Sequence, residues 1–358
     1  MTILWINLAL VFLLSYFARY FALIPTGTYI PATIRPSKIL MLGTMLCFVL
    51  VSGLRTNIGD TFFYMHAFEM HDFTWDFILS QKDIGFGVLQ MILRLQSNDA
   101  QILIFTTAAI TNILIIFVLY KYSRLFEISI YFYITGGLFL VSMNGLRQFL
   151  AASIVFAATN FLIERSTLKY FLIVIFASTF HISALVLIPI YFFVKYRAWS
   201  KATLVLLAFA LLIVLGFEWF SSFLFSTIKD TQYGEYQSFA EGGANFLRVG
   251  VCSVPIIVAY MGREKLRRIF PESDYIVNLS LIGLAIMLIA TQNWIFARLA
   301  IYFQLYQIIL VGWIVKLFSE RQQRFVYYGI IVCYFLYYYY ECVISLNIVY
   351  KSNFFNIP

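Results

Sequence analysis

The chain has 358 residues, of which 62% are hydrophobic and 12% charged, with a formal net charge of +8. Water-soluble domains average about 45–50% apolar and about 25% charged residues, so this composition excludes a soluble globular protein. It predicts an all-α polytopic membrane protein, with residues 1–358 forming a single integral membrane domain.

A spanning helix needs about 20 mostly apolar residues. The apolar runs give about twelve segments, at 3–24, 39–54, 101–120, 126–143, 147–163, 168–180, 182–194, 201–217, 246–261, 275–291, 297–317 and 325–345. Some are short enough to be re-entrant. The first reads as a span, since it has no basic n-region and no small-residue cleavage site.

Lysine and arginine then set the sidedness. With the N-terminus outside, 17 of the 25 basic residues fall on inner loops and helix ends, and 11 of the 17 acids fall outside. The net positive charge is therefore a topology signal, and no nucleic-acid partner is needed to explain it. Between Lys169 and Lys195, both inner, lie 25 mostly apolar residues. Two short helices meeting near His181 satisfy both ends. Their apex falls within the outer leaflet, where irregular backbone must line a protein cavity.

Two outer segments exceed simple turns. Residues 55–100 carry amphipathic stretches that should lie along the interface as helices. Residues 218–245 mix aromatics with polar groups and end in a glycine hinge, Gly242-Gly243. Both could cover an outer-face site.

Ionisable groups at membrane depth are costly and therefore mark function. Arg55 and Asp60 follow the second segment; Arg147 and Gln148 open the fifth. His181 sits at the hairpin apex, and Arg248 and Arg298 begin the ninth and eleventh segments. Outer arginines run against the sidedness trend, so an anion should compensate them, and a guanidinium matches phosphate oxygens bidentately. A lipid headgroup or a lipid-linked pyrophosphate both fit. Each arginine alone could instead pair with an acid or reach lipid headgroups. His181 is either a candidate base, as the imidazole is the side chain suited to proton transfer near neutral pH, or a hydrogen-bonded residue holding the helix break. Asp60 serves as a base or as the N-cap of the helix starting at Thr61. His66 and His71 are split across a helix face, and the four cysteines lie in apolar runs, so neither metal site nor cofactor is expected.

The run Gly53-Leu54-Arg55, Gly59-Asp60-Thr61, Tyr64 and Phe68 resembles the opening signature of the EpsG-like family, related to the Wzy-type polymerases of bacterial O-antigen and exopolysaccharide. Arg147-Gln148-x-x-Ala151 and Ala177-x-x-Phe180-His181-x-Ser183-Ala184 resemble its central block. Tyr233-x-x-Tyr236 and Arg298-Leu299-x-x-Tyr302 resemble its C-terminal features. The similarity runs in order from about residue 50 to 310. Around Lys82-Asp83-Ile84-Gly85 the family form would have Glu before the glycine, a departure that leaves Asp83 without an assigned role.

The resemblance implies a GT-C-like transferase in the bacterial cytoplasmic membrane, working on undecaprenyl-pyrophosphate-linked oligosaccharides at the outer face. A chain-length regulator is a candidate partner, alongside membrane lipid. On that reading Arg147 and Arg298, assisted by Arg55, bind pyrophosphate; His181 or Asp60 acts as base; and Gln148, Tyr233, Tyr236 and Arg248 contact substrate. Rival readings are a lipid-linked oligosaccharide flippase, an O-antigen ligase and a membrane acyltransferase. The flippase should show two related halves, which the sequence lacks. The ligase differs only in its acceptor, and the acyltransferase favours an inner histidine beside an acid.

Overall fold

Hydrocarbon offers no hydrogen-bond partners, so a chain that enters it must pair its backbone groups internally. The computed structural model describes residues 1–22, 34–228 and 242–355, and these fold into α-helices with no strand among them. In chain order they are α1 (Thr2–Tyr20), α2 (Lys38–Gly53), α3 (Thr61–Met70), α4 (Trp75–Ser80), α5 (Ile84–Arg94), α6 (Gln101–Tyr122), α7 (Phe126–Thr135), α8 (Leu138–Asn144), α9 (Leu146–Ala157), α10 (Thr159–Ile163) and α11 (Thr167–Ser178). There follow α12 (Leu187–Val194), α13 (Lys201–Leu215), α14 (Phe217–Ile228), α15 (Phe246–Met261), α16 (Arg263–Ile269), α17 (Ser273–Ala290), α18 (Ile295–Ile314) and α19 (Glu320–Tyr339).

Among the described residues, α1, α6, α17 and α18 (extended to Leu317) are long and apolar enough to cross a membrane. Three bent pairs raise the number to seven if each is one span: α7 with α8, α13 with α14, and α15 with α16. As expected of the about twelve apolar segments, several are short or broken. The 126–143 run bends by 54° between α7 and α8, where Gly137 takes φ 88°, a conformation that suits glycine. The helices α2, α9 and α11 reach only about 18–24 Å.

Contacts group the chain into two compact units, residues 1–191 with 311–358, and residues 192–310. In the first, α6 packs against α2 and α9, while α1 packs against α2 and α7. The α6 core carries buried Thr107, Thr111 and Asn112, and Tyr133 donates to Asn112 Oδ1 at 3.1 Å. In the second unit α17 packs against α13 and α15, and Asn278 of α17 donates to the Tyr196 carbonyl at 2.7 Å.

The 55–100 segment folds as the amphipathic pattern predicts. Phe68 of α3 and Phe86 and Leu93 of α5 are buried against Leu103 of α6 and Leu150 of α9. Phe62 and Phe63 of α3 and Trp75 and Leu79 of α4 remain exposed. The expected hairpin is also present. α11 ends at Ser178, His181 is extended, and a 3-10 turn at Ile182–Val186 leads into α12. Tyr170 and Tyr191 stack at 5.3 Å across it.

The turn at the first Gly-Leu-Arg meets the residues just before the second. Arg55 is 1% exposed and donates through Nε to Thr61 Oγ1 (2.9 Å), through Nη1 to the Ser52 carbonyl, and through Nη2 to the Met143 carbonyl (2.8 Å). The Asp60 backbone N–H donates to Asn144 Oδ1 at 3.0 Å. Gly59 makes that approach possible, with φ +56° and only 2.3 Å between a built Cβ and Asn144 Oδ1. Residues near 350 then close over this turn: Lys351 N–H donates to Asn57 Oδ1 (2.7 Å), Asn57 Nδ2 to the Val349 carbonyl (2.6 Å), and Ser352 Oγ to the Leu54 carbonyl (2.6 Å). Gly59→Ala should therefore lower stability by about 2 kcal/mol or more, read as a fall in the thermal unfolding midpoint. Gly43→Ala, with only Leu14 side-chain atoms nearby at 3.6 Å, should be close to neutral in the same assay.

Candidate active site

A cavity of about 450 Å³ opens within the first unit, walled by α3, α4, α5 and the start of α9. Phe63, Tyr64, Phe73, Phe77 and Phe86 supply aromatic faces, and Asp60, Gln81, Asp83, Gln90 and Arg147 supply polar groups. Few side chains could do this better: rings bury large apolar area while the polar groups orient a hydroxylated ligand.

Arg147 is the charged centre of this wall. Its Nη1 donates to Asp83 Oδ2 at 2.8 Å, and its side chain is 43% exposed while that of Asp83 is 4% exposed. Its guanidinium also lies 5.9 Å from the Tyr64 ring and 6.0 Å from Phe86, and Nε donates to Tyr64 OH at 3.4 Å. One edge of the fork is thus fixed by a buried carboxylate at the cavity wall.

Asp83 owes its position to a close docking of two loops. The Gly85 N–H donates to the Thr179 carbonyl at 2.8 Å, and a Cβ on Gly85 would fall 2.2 Å from Thr179 Oγ1. The hairpin apex thereby seats the start of α5. Burial pushes the Asp83 carboxyl above the ordinary aspartate range, while Arg147 and the Ile182 backbone amide pull it back.

The sequence candidates divide clearly. Asp60 and Arg147 line the cavity together. His181 is not among its walls; its Nδ1 lies 2.6 Å from Ser183 Oγ, which also accepts from Gln148 Nε2 at 3.5 Å. His181 and Gln148 thus belong to one hydrogen-bonded set behind the hairpin apex. Arg55 is assigned differently from the sequence expectation. It is buried, and its donors are spent on Thr61, Ser52 and Met143, so it shapes the site instead of presenting a fork to a ligand.

Arg298 and Arg248 lie in the second unit, at the first turns of α18 and α15, and Val249 and Ala300 beside them share one apolar cluster. The Arg298 guanidinium sits 4.9 Å from the Trp294 ring. Tyr233 and Tyr236 lie outside the described residues. His66 stacks on Phe62 and His71 on Phe77, so the two histidines serve different aromatic contacts. Among the described residues no group of three His, Cys, Asp or Glu side chains could hold a metal ion.

Asp83 is the residue that sequence reasoning passed over. The only signal was its place before a glycine inside a recognisable motif, and nothing in the sequence brings it to Arg147, 64 residues away.

The model of the EpsG family matches residues 38–356. The chain belongs to the EpsG family. The match takes in α2 and the segment near 350, both beyond the ordered motifs of the sequence reading, so the turn closed by residues 349–352 falls within the family region. Membership points to a polysaccharide-polymerase role in a helical membrane protein. No curated protein and no solved structure matches the chain.

In this EpsG protein the Arg147–Asp83 pair sets a pH dependence. Because the folded Asp83 pKa is raised, the fold favours the protonated carboxyl. Asp83 therefore contributes stability at low pH that is lost as pH rises through its folded value. The ion pair runs the opposite way and exists only above that value. Infrared titration should find the Asp83 carboxyl band, identified by its loss in Asp83→Asn, changing above the ordinary aspartate pKa of about 3.9.

Proposed function

We propose that this EpsG-family protein polymerises lipid-linked oligosaccharide repeat units at the outer face of the bacterial cytoplasmic membrane. The growing glycan would leave undecaprenyl pyrophosphate and join a new lipid-linked unit. The observation that carries the reading is an arginine, Arg147, held by a buried carboxylate at the wall of an aromatic cavity.

The acceptor hydroxyl oxygen attacks the anomeric carbon of the donor sugar. The bond from that carbon to the pyrophosphate oxygen breaks, and its electron pair stays on the phosphate. The Arg147 guanidinium, at the cavity wall, stabilises that negative charge as it grows. Asp83 is a positioning residue in this scheme, since it holds one edge of the fork and needs no contact with the sugar. Asp60, in the same cavity, takes the hydroxyl proton. Tyr64, Phe73 and Phe86 stack on sugar rings. His181, outside the cavity wall, supports the apex that seats Asp83.

Reconstitution of the full chain with a defined lipid-linked repeat unit tests the reading. Lengthened products in a ladder are expected. Unchanged substrate moved to the opposite leaflet would indicate a flippase, and transfer only to a lipid A acceptor a ligase. Arg147→Ala should slow lengthening by about 10²–10³-fold and Asp60→Asn by about 10²–10⁴-fold, with the folded protein retained. His181→Ala should cost less than either; a loss as deep as that of Asp60→Asn would transfer the base role to His181.

A further inference from the structure

The aromatic cavity extends well past its charged residues. Asp60, Tyr64, Ala67 and His71 all line it, a helical spacing that gives one stripe along the whole of α3. Asp83, Gly87 and Gln90 form a matching stripe on α5. The two helices run the same way: Arg147 joins Tyr64 to Asp83 near their starts, and Arg94 reaches the Glu69 carbonyl and the Phe68 ring near their ends. His71 lies seven residues beyond Tyr64, about 10 Å further along. The charged lining residues Asp60, Asp83 and Arg147 stand at the near end, with Arg147 already paired to Asp83.

The far end is held firmly. Thr74 Oγ1 caps α4 by accepting from the Phe77 N–H at 3.3 Å. Ile78, fully buried, fixes α4 on α5, since a Cβ at Gly87 would lie only 3.2 Å from Ile78 Cγ2. Phe77 is thereby set 5.9 Å from Phe73, edge to face, and 5.0 Å from the His71 ring, stacked. His71 is fixed in turn by the Ala67 carbonyl, which lies 3.2 Å from its backbone N and 2.8 Å from its Nδ1. A carbonyl only accepts, so Nδ1 carries the proton and the neutral ring keeps its lone pair on Nε2. A helix cap requires the Nδ1 bond alone; Nε2 is an acceptor that the cap does not use.

We propose that His71, Gln90 and the Phe73–Phe77 pair form a subsite for an uncharged sugar ring, remote from the bond being made. Pyranose faces are apolar and their rims carry hydroxyls, so aromatic rings, an amide and an imidazole acceptor serve them together. A uronic acid would lose hydration there with no cation at that end to replace it. The inference rests on the reading of the cavity as a glycan site. It names the class of sugar, a neutral hexose or an N-acetylated hexosamine, and gives His71 a binding role with no part in proton transfer.

Isothermal titration of the full chain, in a polyoxyethylene detergent free of sugar headgroups, tests this with maltotriose, triacetylchitotriose and trigalacturonate. At least one neutral trisaccharide should bind about tenfold or more tightly than trigalacturonate. His71→Asn keeps a donor for the Ala67 carbonyl but loses Nε2, and should weaken neutral binding about tenfold. His66→Asn is the control, the same change on the same helix at a residue that stacks on Phe62 and does not line the cavity. Its binding should be unchanged. In the lengthening assay with a neutral repeat unit, His71→Asn should raise KM about tenfold at unchanged kcat. Trisaccharide binding without lengthening defeats the polymerase reading and leaves the subsite standing; lengthening with an unchanged KM in His71→Asn does the reverse. No binding of either neutral trisaccharide, equal binding of trigalacturonate, or an equal loss in His66→Asn overturns the proposal. If His71→Asn does not fold, Gln90→Ala, with a similar expected loss, decides it against His66→Asn.

Discussion

A guanidinium buried among neutral oxygens governs how the first unit is put together. Taking a charge out of water is costly, and Arg55 is tolerated only because Thr61, Ser52 and Met143 receive its N–H groups. Those acceptors belong to the start of α3, the last turn of α2 and the last turn of α8. One side chain thereby fixes the angle at which α3 and the short helices after it leave the bundle. The cavity wall follows from that angle, because Asp60 and Tyr64 lie one turn apart beyond the same junction and Arg147 begins just after α8.

A second buried charge then completes the wall. Asp83 is carried to Arg147 by the docking of Gly85 on Thr179, so the α11–α12 hairpin supports the cavity wall. The two junctions share a logic: a glycine permits close backbone approach, and a charged side chain then locks what the glycine allowed. Gly59 stands to Asn144 as Gly85 stands to Thr179.

Periodicity and composition made much of the architecture legible. The helix break at His181 followed from the spacing of Lys169 and Lys195, and the short helices of residues 55–100 followed from their amphipathic pattern. Arg147 was visible as a cation on the wrong side. The division of labour among the arginines was not visible, because burial decides it: Arg55 and Arg147 both follow Gly-Leu, yet one is enclosed and the other half open. The pairing of Asp83 with Arg147 and the clasp of residues 349–352 on 54–57 depend on tertiary contacts across long separations, which no local pattern records. Apolar runs reveal where hydrocarbon is tolerated, while Gly137 and similar breaks determine whether one run makes a continuous helix, as the short or re-entrant segments among the twelve already suggested.

The clasp has a consequence for the order of assembly. Asn57 receives the Lys351 amide 294 residues after it has been synthesised. During insertion the turn between α2 and α3 must wait, with its polar groups satisfied by water, until α19 has been placed and the segment beyond it has returned. The junction that carries Arg55 and Asp60 is among the first regions made and among the last completed. A ribosome-bound chain lacking its final helix would hold every wall of the cavity in sequence and yet lack the fastening that sets them.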